Sequence, residues 1–174
     1  MFGAIILIGG AIEESLALER NQYGRALTDF LHSRTLNELE NTAFLDGEIE
    51  RVFAEKKVLL EPEKFSQREG RFDFLAETKN GKLIGFEVLT RPSKHKLEKK
   101  LAYSKSVDEF VFVLPSEAMG FYRKPKQRVF NRCCRQKFFG KSFADKKLKA
   151  WIYSLGEKRF TEKAAFSEVF NVKR

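Results

Sequence analysis

Cysteine is nearly missing from this chain. The two that occur, Cys133 and Cys134, are adjacent, which leaves neither a disulfide framework nor zinc-type ligand spacing. The expectation is a reducing, intracellular compartment, the cytoplasm. Long apolar runs are missing too. The opening "MFGAIILIGGAIEES" is too short to span a bilayer and has no basic residues ahead of its apolar stretch. It reads as neither an anchor nor a good signal peptide, so no membrane partner is expected. A buried strand, the start of a helix and an oligomer contact all stay open for it. Proline is scarce, at 4 residues, and there are only 11 glycines, which excludes a fibrous or low-complexity chain. The two histidines, His32 and His95, are isolated in sequence; His95 falls in a basic run, where a surface residue is the simplest reading. What the chain does have is apolar bulk. With 174 residues, 43% of them hydrophobic and 18 of them Phe, it can bury one domain-sized core.

Charge is divided unevenly. Residues 1–70 hold 8 Lys and Arg against 13 Asp and Glu, and residues 71–174 hold 25 against 11. The C-terminal part is therefore strongly positive, which points to a polyanion, nucleic acid first, although a lysine-rich surface can also serve solubility alone.

Periodicity divides the chain again. Ile12, Leu16, Leu18, Tyr23, Leu27, Phe30 and Leu31 recur at helical spacing. Ser33 or Thr35 can cap a following helix whose stripe is Leu36, Leu39, Phe44, Leu45, Ile49, Val52 and Phe53. From Val58 the period shortens. "VLLEP", "RFDFLA" and "LIGFEVLT" read as strands, the last two joined at Asn80-Gly81. "SKHKLEKKLAYSKS" is an amphipathic helix after Pro92, and "DEFVFVLP" is a central strand covered on both faces. "PKQRVFNRCCRQKFF" reads as a helix, "KLKAWIYSL" as a strand with Trp151 and Tyr153 as packing residues, and "GEKRFTEKAAF" as a closing segment.

Two strands each carry one carboxylate, Asp73 in "RFDFLA" and Glu87 in "LIGFEVLT". A carboxylate in a buried strand needs a partner, a hydrogen bond or a metal. The hairpin register decides whether the two meet. A two-residue turn at Asn80-Gly81 puts them on opposite faces. A three-residue turn with Gly81 left-handed pairs Thr78 with Lys82 and brings Asp73 opposite Glu87. Only the second turn makes one face wholly apolar, with Phe72, Phe74, Ala76, Ile84, Phe86 and Val88, so the bulged turn is expected. Opposed carboxylates disfavour joint ionisation unless a cation lies between them. Hard oxygen ligands suit Mg²⁺ or Mn²⁺; pairing with Arg91 or Lys99 is the structural alternative.

Asp73, a short hairpin, Glu87 and a following Lys-rich helix resemble the PD-(D/E)XK nuclease superfamily, the fold of restriction endonucleases and archaeal Holliday-junction resolvases. The likeness covers about Leu36 to Leu114. It implies a restriction endonuclease-like α/β domain over residues 36–174, a mixed sheet flanked by helices, with residues 1–35 as an N-terminal helical extension. It implies Mg²⁺-dependent or Mn²⁺-dependent hydrolysis of DNA phosphodiester bonds, with Asp73 and Glu87 as metal ligands. The superfamily's lysine position is occupied by Leu89, so the cation has to come from the following helix, where Lys94, Lys96, Lys99 and Lys100 are available. Lys99, four residues before Tyr103, is the first choice. Glu50, followed by Arg51, resembles the helix-borne Glu of resolvase-like members, with Glu48 as the alternative. Homodimer formation is a further implication. The rival reading is a catalytically inactive nucleic-acid-binding module on the same fold.

Phosphate contacts are expected from Arg91, Lys94, Lys96 and Lys100 in the basic run that follows Glu87, and from Arg123, Lys124, Arg128, Arg132 and Arg135 around the second basic helix. Cys133 falls on the apolar side of that second helix and reads as a small core residue.

Overall fold

A computed structural model describes residues 22–41, 48–54, 57–63, 66–119, 139–170 and 172 of the chain. The fold is α/β. A mixed open sheet of six strands is built from β1 (Ile49–Ala54), β4 (Phe74–Thr78), β5 (Leu83–Val88), β6 (Glu109–Pro115), β7 (Leu148–Ser154) and β8 (Arg159–Ala165), in that spatial order. β5, β6 and β7 run parallel, and the outer pairs are antiparallel. β2 (Lys57–Glu63) and β3 (Ser66–Arg71) form a separate two-stranded ribbon that leads directly into Phe72 and Asp73. "VLLEP", read as a strand, is thus in the ribbon and not in the main sheet. Among the described residues the α-helices are α1 (residues 22–41), α2 (Lys94–Leu101) and the short α3 (Phe166–Val169).

β6 shows why the sheet is covered on both sides. Phe110, Phe112 and Leu114 point into one apolar cluster with Leu97, Phe143 and Phe166. Val111 and Val113 point into the other, with Leu31 and Leu39 of α1. Alternation along a strand buried on both faces produces this division. Ser93 caps α2 by accepting from the Lys96 N–H, and Leu97 is the buried side chain that fixes its rotation.

The helix expected over residues 36–57 is not formed as such. One helix runs through 22–41 without a break at residue 35, and Thr35 is no cap: it is buried in mid-helix, its hydroxyl donating to the Leu31 carbonyl at 2.7 Å. Ile49, Val52 and Phe53, read at helical spacing, lie on β1 instead. A bulge between Ile49 and Arg51 adds one residue to the strand, so Ile49 and Val52 reach the same cluster despite their three-residue separation. Pairing with the open edge of β4 outweighs the local helical pattern.

The carboxylate hairpin has the expected bulged turn. Gly81 has φ +74°, the Thr78 N–H donates to the Lys82 carbonyl at 2.9 Å, and Phe74 pairs with Phe86. Phe72 departs from the expected face. β4 starts only at Phe74, after a bend at Asp73, so alternation does not extend back to Phe72. Its ring crosses to the other cluster and lies on Gly85, where an added Cβ would come within 2.7 Å of it. Of the helical reading of residues 11–33, the part from residue 22 forms the start of α1 and residues 11–21 lie outside the described residues, as does all but Phe139 of the helix expected over 125–139, with Cys133 and Cys134.

Candidate functional site

The bend at Asp73 directs its carboxylate across the end of the β4–β5 ladder. Its Oδ2 accepts the Val88 N–H at 2.8 Å, a bond that a further rung of the ladder would otherwise supply. Glu87 is next to Val88, and its side chain is only 2% exposed. β5 buries Glu87 because β6 lies beside it in parallel register, with Glu87 level with Phe112. Asp73, at 25% exposure, still meets solvent.

Lys100 answers the buried charge. Its Nζ donates to Glu87 Oε1 at 2.8 Å and lies 4.6 Å from the centre of the Tyr103 ring. Burial pushes the Glu87 carboxyl up from 4.5 to about 7; the charge of Asp73 adds to the push, and the Lys100 hydrogen bond and charge resist it. Burial pulls the Lys100 ammonium down, but the hydrogen bond and charge of Glu87 outweigh it, and its pKa is raised. The result is a site in which two carboxylates compete for one compensating cation.

α1 closes the other side. His32 places Nε2 3.7 Å from Asp73 Oδ2, and its ring tilts against Phe74. One turn earlier, the hydroxyls of Thr28 and Thr90 share a 3.2 Å hydrogen bond. The guanidinium of Arg91 lies against Gly24, where a Cβ would come within 3.0 Å of Nη2. A bulkier residue at position 24 would push Arg91 away.

The sequence-derived residues divide clearly. Asp73 and Glu87 come together, and Lys100, expected as a phosphate contact, joins them. Lys99, the first choice for the cation, is exposed, because the phase that buries Leu97 turns Lys99 outward and Lys100 toward β5. Glu50 is on β1, not on a helix. It is exposed, lies 3.6 Å from Arg51, and sits toward the Thr78 end of the ladder, remote from Asp73. Glu48 is exposed at that same end, where its carbonyl accepts from the Lys79 N–H. Arg91, Lys96 and Lys99 are exposed along α2 and its approach; Lys94 pairs with Glu98 at 3.7 Å, and Lys96 Nζ donates to the Arg91 carbonyl. Arg123, Lys124, Arg128, Arg132 and Arg135 lie outside the described residues.

His32, Thr28 and Thr90 were not picked out by sequence. The signal available was a polar i, i+4 pair, Thr28 and His32, on a helix face otherwise marked by Leu27, Phe30 and Leu31. Among the described residues no three His, Cys, Asp or Glu side chains form a group able to hold a metal ion. Among them, too, no helix is long and apolar enough to cross a membrane.

No protein-family model matches the chain, and no curated protein or solved structure matches it at significance.

Proposed function

We propose that Asp73, Glu87 and Lys100 form the centre of a metal-dependent nuclease on a restriction endonuclease-like sheet. The observation that carries this reading is the Lys100–Glu87 contact at 2.8 Å, beside Asp73, at the end of the hairpin that leads into a parallel strand. It supplies from α2 the cation that Leu89 does not. Leu89 itself packs with the apolar cluster under α2.

The donor set fits a hard divalent cation. Two carboxylates whose negative charges oppose each other, one of them desolvated, gain most from a shared Mg²⁺ or Mn²⁺. Water and phosphate oxygens complete such a shell where the protein gives few ligands. A bound ion supplies Lewis-acid charge and lowers the pKa of a coordinated water. The chain's own part is to hold Asp73 through the Val88 N–H, to keep Glu87 out of bulk water, and to present the Lys100 ammonium to developing negative charge. Arg91, Lys96 and Lys99 provide the sequence-independent attraction for a phosphate backbone.

Calorimetric titration of Mn²⁺ and Mg²⁺ into the full chain tests the metal. Binding that is lost in Glu87→Gln and Asp73→Asn supports the reading. Equal binding by wild type and both variants removes it.

A further inference from the structure

Phe86 and Glu87 are neighbours on β5, so their side chains leave the sheet on opposite faces. Phe86 faces a crevice of about 470 Å³ near the turn between β4 and β5. Phe86 and Val111 form its floor, each 1% exposed, and the half-buried Ile84 and Trp151 supply its accessible apolar surface. Phe86 and Trp151 meet edge to face, with ring centres 5.1 Å apart. Lys79 and Lys82, from the turn, also line the crevice; both are exposed, and among the described residues neither has a side-chain ion pair. Two further charges largely cancel, because Lys149 and Glu109 pair at 2.5 Å. Glu48 adds one exposed carboxylate to the lining.

We propose that this crevice binds a planar aromatic ring bearing a phosphate, the chemistry of a nucleoside monophosphate. A space of this size suits a ligand of that class, since small-molecule sites span roughly 300–1,000 Å³. The accessible part of Trp151, whose ring also has the Lys163 ammonium 4.4 Å from its centre, receives the ligand's ring. The two ammonium groups at the turn select an anionic substituent and attract a phosphate dianion more strongly than a single charge. Glu48 accepts from an amino or hydroxyl group of the ligand. The site is independent of the carboxylates, because it opens on the opposite face of β5 and shares no side chain with them.

Trp151 is the chain's one tryptophan, so its emission reports on the crevice directly. The full-length protein is titrated with GMP, guanosine, inorganic phosphate and a short 5′-phosphorylated oligonucleotide. GMP is expected to give a saturable change with Kd on the order of 10⁻⁴ M, guanosine to bind at least about tenfold more weakly, and phosphate alone to leave the emission unchanged. Lys79→Ala/Lys82→Ala, at two exposed positions, brings GMP down to the guanosine level, and Glu87→Gln has no effect. An oligonucleotide that matches GMP identifies a nucleic-acid end as the source of the ligand; one that binds more weakly identifies the free nucleotide. No saturable change with GMP, or equal binding of GMP and guanosine, overturns the proposal. So does a GMP response lost in Glu87→Gln but kept in the double lysine variant, because that places the nucleotide at the carboxylates.

Discussion

Lys100 on α2 places its Nζ 2.8 Å from Oε1 of Glu87 on β5, while the adjacent Lys99 faces solvent. This contact divides two residues that look equivalent in sequence. On the nuclease account, Lys100→Met lowers metal-dependent DNA cleavage by about 100-fold or more, the scale of losing one preorganised charge-stabilising donor. Lys99→Ala changes the rate by no more than about threefold, the scale of a small change in phosphate attraction. Rates under single-turnover conditions decide between them.

Leu89 follows Glu87 by two residues, so both point to the same side of the strand line. Its N–H continues the parallel pairing by donating to the Val113 carbonyl at 2.9 Å. A lysine there can replace the cation that α2 brings. Leu89→Lys combined with Lys100→Met is expected to recover at least about tenfold of the activity lost in Lys100→Met alone, a gain of about 1.4 kcal/mol in transition-state stabilisation. No recovery in an otherwise folded double variant would mean that the direction of approach from α2 matters as well as the charge.

The pH dependence of stability follows from Glu87. Its folded pKa, about 7, is above the ordinary 4.5, so the folded protein holds this proton more tightly than the unfolded chain does. The stability linked to it is complete below pH 4.5 and is lost as pH rises to about 7. The shift corresponds to about 3 kcal/mol. Denaturation of wild type and Glu87→Gln in parallel across this window isolates the effect. The wild type loses about that much stability relative to the variant between pH 4.5 and 7.5. On the nuclease account, metal binding would have the opposite slope, because it requires the ionised carboxylate, and affinity would weaken by about tenfold per pH unit below 7.

Gly85 has no room for a side chain, because a Cβ would approach the Phe72 ring to 2.7 Å. Gly85→Ala is expected to destabilise the fold by about 1–3 kcal/mol, the range for overpacking in a well-filled core. Since Phe72 precedes Asp73, the same change displaces the carboxylate. Phe72→Leu in the Gly85→Ala background restores part of the stability, as read by thermal unfolding.

Much of this geometry was legible in the sequence. The alternation of Phe74, Ala76, Ile84, Phe86 and Val88 demanded the bulged turn, since a one-residue slip would exchange the faces; Gly81 met the demand with its positive φ. The apolar run ending at Leu114 gave the central strand for the same reason. β1 was not legible, because its bulge gives Ile49 and Val52 a spacing that imitates a helix. The choice between Lys99 and Lys100 was not legible either. It depends on the rotation of α2 about Leu97 and on how near the helix passes to β5, which are properties of packing between distant segments. His32 belongs with these, since only the docking of α1 brings it to Asp73.

The most direct measurement is cleavage of labelled duplex, single-stranded and branched DNA, with and without Mg²⁺ or Mn²⁺, by wild type, Asp73→Asn, Glu87→Gln, Lys100→Met and Lys99→Ala. The account predicts cleavage that requires the metal, disappears in the first three variants and persists in Lys99→Ala. Metal-independent cleavage, cleavage retained in Glu87→Gln, or binding of DNA without cleavage under every metal condition would contradict it.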